Sequence, residues 1–561
     1  MEKFFLRAIR RVSENPLSSL LIVALLTIIA FSNIFQNKFV LDDFDFIVNW
    51  PLIQDLRNIP YFFINYVTPP GQDGIYSPLK TFIHAINFNL FGLNPFGYHI
   101  FSIGIHLLGT FFTYRIIFLL TDNRLIAFLG SLFFGVHPIH ANIITNMTGS
   151  VDAAGIVFGF ISFYFYIQAH LRKVHFSNKD YILSLVFALI SIFTHELMIS
   201  LPILFLWYEF CFYRNKYSTK EILFRIMPLF GIVFFYVLAK YFVLGAITRG
   251  RYINDSFYLT MLVIIKAWAK YVIITIFPFR LTHNHIISKG IFSYDPDDFD
   301  KFEVLSQSIF DPYIIGSLCV IGIIFYIAYK DFHRKPLITF CIGWFFICLL
   351  PVSNFIPSGV YFAERYLYPG SLTFCLLLAS SFQYLSRSRF QYLFSAFLII
   401  LTVFYTGRTW TRNLDFRNEI ALFESVVSSN PQSAGMRNDL GIVYIENGLY
   451  DQAIKSIQTA IAIKPNDPEF YISLADAYIG KEEDQQAIAA LSKAVMLDPE
   501  FAEAYYNLAS VYAFSNDVDK AKENLSLSIK YLKKKGRYED VIEYQKAFYS
   551  YFGPNYVINP L

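Results

Sequence analysis

Long apolar stretches separated by short polar segments fill the chain from residue 17 to about residue 405. About 20 apolar residues are enough to cross a bilayer as a helix. Eleven stretches come near this length, so the pattern predicts an all-α membrane domain with about eleven spans. The predicted spans are Leu17–Phe35, Gly97–Leu120, Leu125–Ile144, Val151–Ala169, Tyr181–Thr194, Leu197–Tyr213, Ile222–Leu244, Tyr313–Tyr329, Leu337–Val352, Tyr366–Leu385 and Phe390–Tyr405.

One further apolar stretch, Phe257–Pro278, differs from these because Lys266 and Lys270 lie near its middle. Charges are costly inside hydrocarbon. The stretch is therefore predicted to be an interfacial or re-entrant helix on the outer face of the membrane.

The charges of the loops predict the orientation of the spans, because cytoplasmic loops carry an excess of lysine and arginine. A basic N-terminus before Leu17 indicates a retained signal anchor whose start is cytoplasmic. The segment that follows the first span is then outside, and eleven spans leave the C-terminus outside too. The inside loops hold the basic residues Arg124, Arg172, Lys173, Lys179, Arg214, Lys216, Lys220, Lys330, Arg334, Lys335, Arg387 and Arg389.

From about residue 416 the sequence changes to soluble helix with a period of 34 residues. Pro431, Pro465 and Pro499 keep this step, and tyrosine, alanine and small residues recur with it. This period and these residue types are typical of tetratricopeptide repeats. We predict residues 1–415 as the membrane domain, 416–433 as a helix leading into the repeats, 434–535 as three repeats, and 536–561 as a capping helix and tail.

Composition excludes some classes of function. Charged residues make up 16% of the chain, well below the roughly 25% of soluble domains, and no basic stripe indicates nucleic-acid binding. The five cysteines lie in apolar stretches and are predicted to be buried and inert. His283 and His285 lack a third ligand, so no metal site and no cofactor is predicted, and the acidic stretch Asp295–Asp300 is predicted to be a solvated loop.

Polar groups at the predicted outer ends of the spans are the candidates for chemistry. Any one of them would by default be a solvated surface group, but several on one side favour a shared cleft. In such a cleft a carboxylate can accept a proton from an attacking hydroxyl, and an arginine can stabilise phosphate charge. The candidates are Asp42, Asp43, His137, His140, Asp152, His195, Glu196, Glu364 and Arg365.

These segments resemble the TMTC-type transmembrane and tetratricopeptide proteins of the GT-C glycosyltransferase superfamily. The resemblance covers nearly the whole chain and extends to the join before the repeats. It is carried by Phe39-Val-Leu-Asp-Asp43, Val136-His-Pro-Ile-His140, Gly149 with Asp152, His195-Glu196, Asn354, Ala363-Glu-Arg-Tyr-Leu-Tyr-Pro369 and Arg412-Asn-Leu-Asp-Phe-Arg-Asn-Glu419.

The resemblance implies transfer of mannose, with inversion, from a polyprenyl-phosphate-linked donor to a serine or threonine of a polypeptide. It implies Asp42 as the catalytic base with Asp43 beside it, and Arg365 near the lipid phosphate. Glu364, His195, Glu196, His137 and His140 are the further candidates for binding the donor or its phosphate. The short repeat array favours a bacterial inner membrane with the site and repeats in the periplasm; the alternative is an endoplasmic reticulum with a lumenal site.

The chain departs from the family pattern where Asn142 replaces a glutamate, Ser150 an arginine and His195 a lysine, and also in the run after Tyr368. The alternative function is a non-catalytic membrane scaffold whose repeats recruit partners. The repeat groove is also open to two interpretations, since it could bind a peptide or only brace the membrane domain. A secondary transporter is disfavoured because the ionisable groups lie at one face rather than at mid-membrane.

Overall fold

A computed structural model describes residues 12–65, 69, 74–171, 178–245, 250–285, 287, 308–332, 334–385 and 391–553, without the side chains of 382–385, 391–395 and 551. The basic N-terminus, Arg172, Lys173, Asp295–Asp300, Arg387 and Arg389 lie outside the described residues. The chain divides into two compact units, Met1–Glu419 and Ile420–Leu561.

The first unit consists of thirteen main helices in its described part, joined by short helical turns. They are α1 (Pro16–Phe31), α2 (Pro78–Phe91), α3 (Pro95–Thr121), α4 (Arg124–Val136), α5 (Met147–Leu171), α6 (Lys179–Thr194), α7 (Leu201–Tyr213), α8 (Thr219–Leu244), α9 (Phe257–Ile276), α10 (Pro312–Asp331), α11 (Pro336–Leu349), α12 (Tyr368–Leu385) and α13 (Gln391–Asp415).

Each of the eleven predicted spans coincides with helix in the structure. Seven helical segments of the described chain are long and apolar enough to cross a membrane, and an eighth is if a bent pair counts as one span. The first unit is therefore a multi-pass membrane domain. The seven segments are Pro16–Gln36, Pro95–Thr121, Met147–Leu171, Glu196–Tyr213, Thr219–Leu244, Phe257–Ile276 and Pro312–Asp331.

The bent pair consists of α4 and the short helical segment Pro138–Thr145, which meet at 45°. Pro138 cannot donate a backbone hydrogen bond, and its ring clashes with a preceding helical turn, so α4 ends at Val136. The predicted span Leu125–Ile144 is thus broken at His137. The break directs the chain from α4 toward the start of α5.

Helix α9 satisfies the length and composition of a span, and within the first unit it packs mainly against α10. Some of its side chains also reach the ends of other helices. The Tyr271 hydroxyl accepts a hydrogen bond from the Ala363 N–H at 3.0 Å, and the Thr275 carbonyl lies 3.2 Å from His137 Nε2. Trp268 Nε1 donates to Ser353 Oγ, just past α11. The interfacial or re-entrant position of this helix stays a prediction.

The segment between α1 and α3 contains helical structure that the apolar pattern did not predict. A five-residue π-helix, Phe44–Val48, follows the aspartate pair, and α2 is a 14-residue helix that buries Lys80, Thr81 and His84. Such π-turns are frequent at functional sites. Because α2 buries these three side chains, the segment folds against the membrane helices instead of extending into solvent.

The second unit contains eight helices in its described part. They are α14 (Glu419–Ser429), which begins one residue before the unit boundary, α15 (Ala434–Glu446), α16 (Tyr450–Ile463), α17 (Pro468–Gly480), α18 (Asp484–Leu497), α19 (Ala502–Phe514), α20 (Val518–Lys534) and α21 (Tyr538–Phe552).

Small residues let the paired helices of each repeat approach closely. A Cβ added at Gly441 would lie 2.3 Å from Cγ1 of Ile457 on the partner helix, so no larger side chain fits there without a shift. Ala453 and Ala487, 34 residues apart, are both fully buried. The 34-residue period therefore corresponds to a repeated close helix–helix contact.

Candidate active site

Asp42 lines a small pocket of about 260 Å³ in the first unit. The pocket brings together residues from five separate segments of the sequence, including three of the candidates for chemistry, Asp42, Asp152 and Arg365. Its walls are formed by Asp42, Asn142, Asn146, Gly149, Asp152, His283, Arg365 and Phe416. A carboxylate and a guanidinium therefore face one cavity.

Asp43 has a different role from its neighbour, because its side chain is fully buried. Its Oδ1 accepts the backbone N–H of Thr148 at 2.8 Å, and its Oδ2 accepts that of Val40 at 3.1 Å. Burial raises the pKa of Asp43 to about 6, although both hydrogen bonds oppose that rise. Asp43 thus fastens the first loop to the beginning of α5.

The backbone around this pair is strained. Leu41 has a φ of 50°, in the left-handed region that a branched side chain rarely adopts. Such strain persists only where the surroundings determine it, and it clusters at functional sites. The turn at Leu41 allows adjacent aspartates to serve a pocket and a buried anchor.

Asp152 forms a buried ion pair with Lys80 of α2, whose Nζ lies 2.7 Å from Oδ1. His195 Nδ1 lies 3.5 Å from the same oxygen. The lysine also lies over the ring of Phe46, 4.7 Å from its centroid. The pair thus joins the pocket wall to α2 and to the break between α6 and α7.

Asp152 and Lys80 also separate two cavities. Lys80 lines a second pocket of about 350 Å³, together with Phe46, Tyr76 and Leu244 among others, whereas Asp152 lines the pocket of Asp42. The ion pair therefore lies between the two cavities.

Glu364 does not line the pocket, although it is the neighbour of Arg365. Its Oε1 accepts the Thr282 N–H at 2.8 Å and lies 2.7 Å from His285 Nε2, which must donate to a carboxylate. Its Oε2 lies 3.3 Å from Arg412. Burial disfavours the charge of Glu364, but Arg412 and His285 outweigh it and hold its pKa below the usual value.

Three further candidates lie away from the pocket walls. His137 Nε2 lies 3.2 Å from the Thr275 carbonyl, and His140 Nε2 lies 2.8 Å from Ser371 Oγ; both histidines are fully buried. Glu196 pairs with Lys240 at 2.9 Å. Their donor-side roles stay predictions, and their observed contacts bind helices to one another.

Several residues of the site were missed by sequence reasoning. Lys80 gave no signal, since it stands in no recognisable motif, and Phe416 was noted only as part of the join to the repeats. Asn146 lies just before α5, and its Oδ1 accepts the Gly149 N–H at 2.6 Å; an asparagine at the start of an apolar stretch is a usual helix cap and could have been noted.

The arrangement can perform acid–base and anion-binding chemistry. Asp42 supplies a carboxylate for proton transfer, and Arg365 supplies a permanent cation within the same cavity. Among the described residues, no group of three or more His, Cys, Asp or Glu side chains could hold a metal ion. The site therefore has the parts needed for transfer of a group that departs from a phosphate.

The C-terminal part of the chain matches known repeat families. A family model described as TPR repeat matches residues 441–481 and 475–513, and one described as Tetratricopeptide repeat matches residues 502–531. The second unit therefore contains tetratricopeptide repeats, as the 34-residue period predicted.

Curated relatives extend over both units. Protein O-mannosyl-transferase F38B6.6 of Caenorhabditis elegans is 26% identical over 469 residues, which are 81% of this chain and 64% of that protein. Protein O-mannosyl-transferase TMTC3 of Homo sapiens is 23% identical over 80% of this chain and 51% of its own length. The chain is related to the TMTC-type proteins.

The chain spans between about half and two thirds of the length of these relatives. Among solved structures, the archaeal oligosaccharyltransferase AglB from Archaeoglobus fulgidus matches 73% of this chain and 56% of its own, with 12% identity and a TM-score of 0.40. A TM-score this low does not establish a shared fold.

The departures at Asn142, Ser150 and His195 lie at or near the pocket. Asn142 lines it, with its amide nitrogen 3.4 Å from His283 Nδ1. His195 lies beside Asp152, and the buried Ser150 donates to the Met147 carbonyl at 2.6 Å. Asn142 therefore shares the pocket wall with Asp42, Asp152 and Arg365, and His195 contacts Asp152.

Proposed function

We propose that this protein is a membrane glycosyltransferase that transfers a sugar, mannose by analogy with its relatives, from a polyprenyl-phosphate donor to a serine or threonine of a polypeptide. The observation that carries the proposal is the shared pocket of Asp42 and Arg365. The names of the TMTC-type relatives support the choice of sugar and acceptor.

In the proposed reaction the acceptor hydroxyl oxygen attacks the anomeric carbon of the donor sugar. Asp42 accepts the hydroxyl proton as the new C–O bond forms. The bond between the anomeric carbon and the phosphate oxygen breaks, and the phosphate leaves with the electron pair. Attack from the face opposite the phosphate inverts the anomeric centre.

Arg365 stabilises the phosphate as it gains negative charge, since a guanidinium binds phosphate oxygens through a rigid fork of donors. Asp43 fixes the loop that carries Asp42 through the N–H groups of Thr148 and Val40. The Lys80–Asp152 pair sets the charge of the opposite wall. The proposed transfer needs no redox cofactor and no nucleotide sugar.

We further propose that the pocket and the repeats face the same side of the membrane, the periplasm of a bacterial cell. The basic loops Arg214–Lys220 and Lys330–Lys335 support a cytoplasmic position for the opposite ends of the spans. The acceptor polypeptide would then meet the lipid-linked donor after export.

The test uses the full-length protein in lipid nanodiscs with a radiolabelled polyprenyl-phosphate mannose and a mixture of periplasmic acceptor proteins. Release of polyprenyl phosphate and incorporation of label into protein are expected for the native chain. Asp42→Asn should abolish both without lowering the melting temperature. Asp55→Asn is the matched control, since Asp55 is an exposed carboxylate of the same loop whose partner in the structure is Arg57, two residues away.

No transfer by the native protein with any lipid-linked sugar tested would contradict the proposed function. It would favour the non-catalytic scaffold instead, in which substitutions in the repeats rather than at Asp42 remove the cellular phenotype.

A further inference from the structure

The last residues of α13 and the two residues that follow it, residues 410–417, contact both sides of the candidate active site. We call these residues the anchoring turn. The sequence analysis noted this segment only as the join to the repeats, and none of the roles proposed above uses it. It lies in the first unit, directly before α14 begins at Glu419.

Asn413 is fully buried and uses its side chain to join two segments. Its Nδ2 donates to the Ala30 carbonyl at 3.0 Å and to Asn33 Oδ1 at 2.8 Å, at the end of α1. Its Oδ1 accepts from the Thr145 hydroxyl at 2.8 Å, just before α5. One amide therefore connects the helix that leads to Asp42 with the helix whose first turn binds Asp43.

The main chain of the anchoring turn holds the first loop as well. Asn37 Nδ2 donates to the Asn413 carbonyl at 3.0 Å, and the Lys38 N–H donates to the Arg417 carbonyl at 2.9 Å. These bonds fix the backbone only a few residues before Asp42. The loop is thus tied at its start by the anchoring turn and at Asp43 by Thr148.

Arg412 holds the other side of the site. It is fully buried, with one guanidinium nitrogen 3.3 Å from Glu364 Oε2 and another 2.6 Å from Asp415 Oδ2. Glu364 precedes Arg365 in the chain, so its anchor sets the position of that residue. The guanidinium also lies 5.1 Å from the ring of Phe416, which is part of the pocket wall.

We propose that Asn413 and Arg412 are positioning residues for the proposed transfer: Asn413 sets the place of Asp42, and Arg412 sets the place of Arg365. The inference rests on the proposed function. A base and a phosphate-binding cation must be held in one geometry for the reacting atoms to meet, and a displacement of about 1 Å can cost on the order of 100-fold in rate.

The kinetic test compares Asn413→Asp and Arg412→Lys with the native chain. Asn413→Asp removes two donors and should lower kcat about 100-fold with little change in the KM for the lipid donor. Arg412→Lys keeps the charge but cannot bridge Glu364 and Asp415, and should mainly raise that KM. Thr409→Val is the matched control, because it removes a buried hydrogen bond from the same helix to the Val136 carbonyl.

A second readout does not depend on activity. In a Cys319→Ser background, which removes the exposed native cysteine, Asp42→Cys reports the packing of the first loop through its rate of labelling by a small thiol reagent. Asn413→Asp should loosen the loop and so raise this labelling rate about tenfold. Thr409→Val should leave it unchanged.

Equal kinetic and labelling effects of Asn413→Asp, Arg412→Lys and Thr409→Val would overturn the inference, because loss of packing alone would then explain them. If Asn413→Asp does not fold, Thr145→Val removes only the bond to Asn413 Oδ1 and should show the same pattern more weakly. If the native protein transfers no sugar, the proposed function fails, whereas the labelling comparison still decides whether Asn413 holds the first loop in place.

Discussion

Asp42 and Asp43 are adjacent in the chain but face different surroundings: Asp42 lines the pocket with Arg365, whereas Asp43 is buried against the N–H of Thr148 at 2.8 Å. The two carboxylates therefore should not be interchangeable. One has access to a substrate, and the other stabilises the loop that presents it.

Substitution of the two aspartates should separate these roles. Asp42→Asn removes the proposed base and should lower the transfer rate by about 100-fold or more, with an unchanged melting temperature. Asp43→Asn should lower the melting temperature as well as the rate, because an amide offers one acceptor where the carboxylate accepts two N–H bonds. Activity and thermal unfolding of the purified variants are measured side by side. Full activity of Asp42→Asn would rule out its assignment as the base.

Asp43 also predicts a pH dependence of stability. Its folded pKa of about 6 exceeds its ordinary value of 3.8, so the folded state binds the proton more tightly than the unfolded state does. The stability gained from that proton is complete below about pH 4 and is lost as the pH rises to about 6, for a total of about 3 kcal/mol. Melting temperatures between pH 4 and 7 should fall more steeply for the native chain than for Asp43→Asn.

Asp55 supplies the opposite sign as a control. The hydrogen bond from Arg57 lowers the pKa of this exposed carboxyl, so its contribution is present at neutral pH and is lost as the pH falls. Asp55→Asn should therefore not reduce the loss of stability between pH 4 and 7. Parallel curves for the native chain and Asp43→Asn would contradict the assignment.

The ion pair of Lys80 and Asp152 predicts a large single-variant effect. Both side chains are nearly buried and 2.7 Å apart, so Lys80→Met removes the paired cation from a buried carboxylate and should cost about 3–5 kcal/mol of unfolding free energy. His195 and Arg365 stay near that carboxylate. Lys80→Met combined with Asp152→Asn should recover part of this loss. Thermal unfolding of the two single variants and the double variant measures the coupling. Additive losses would show that the pair does not interact.

Arg365→Lys tests the phosphate role. Lysine keeps the charge but loses the two-pronged donor geometry of the guanidinium. We expect the KM for the polyprenyl-phosphate donor to rise about tenfold, while kcat changes less, if the arginine binds the phosphate in ground and transition states alike. Arg57→Lys, at an exposed arginine of the first loop, is the matched control and should change neither. An unaltered KM in Arg365→Lys would place the phosphate elsewhere.

The proposed sidedness can be checked by labelling single cysteines in intact cells with a membrane-impermeant maleimide, in the Cys319→Ser background. Asp55→Cys in the first loop and Lys522→Cys in the third repeat should react before lysis. Lys216→Cys, in a basic loop, should react only after lysis. Reaction of Lys216→Cys in intact cells would contradict the orientation.

The fold was largely predictable from sequence because its signals are local. Apolar length gave the helices, and the 34-residue period gave the repeats, since each depends on a helix and its neighbour. Helix α2 was missed because it is short and only one face of it is buried. The break at His137 was missed because periodicity alone does not show where Pro138 ends a helix.

The site was predictable in part. The sequence pattern brought Asp42, Asp152 and Arg365 to one face, and the structure places all three in one pocket. The sequence pattern could not show that Glu364 pairs with Arg412 and His285, because neighbouring residues of a tight helical turn point in different directions. The pairing of Asp152 with Lys80 could not be predicted for a different reason: the contact joins residues 72 positions apart in the sequence.

The position of the anchoring turn bears on how such proteins can change over evolution. The described bonds that tie the first loop to Asn413, Arg417 and Thr148 lie within the first unit, and the helices of the second unit start at Glu419. Adding or removing repeats beyond that point should therefore leave these bonds unchanged. The first unit can in this way be joined to repeat arrays of different length.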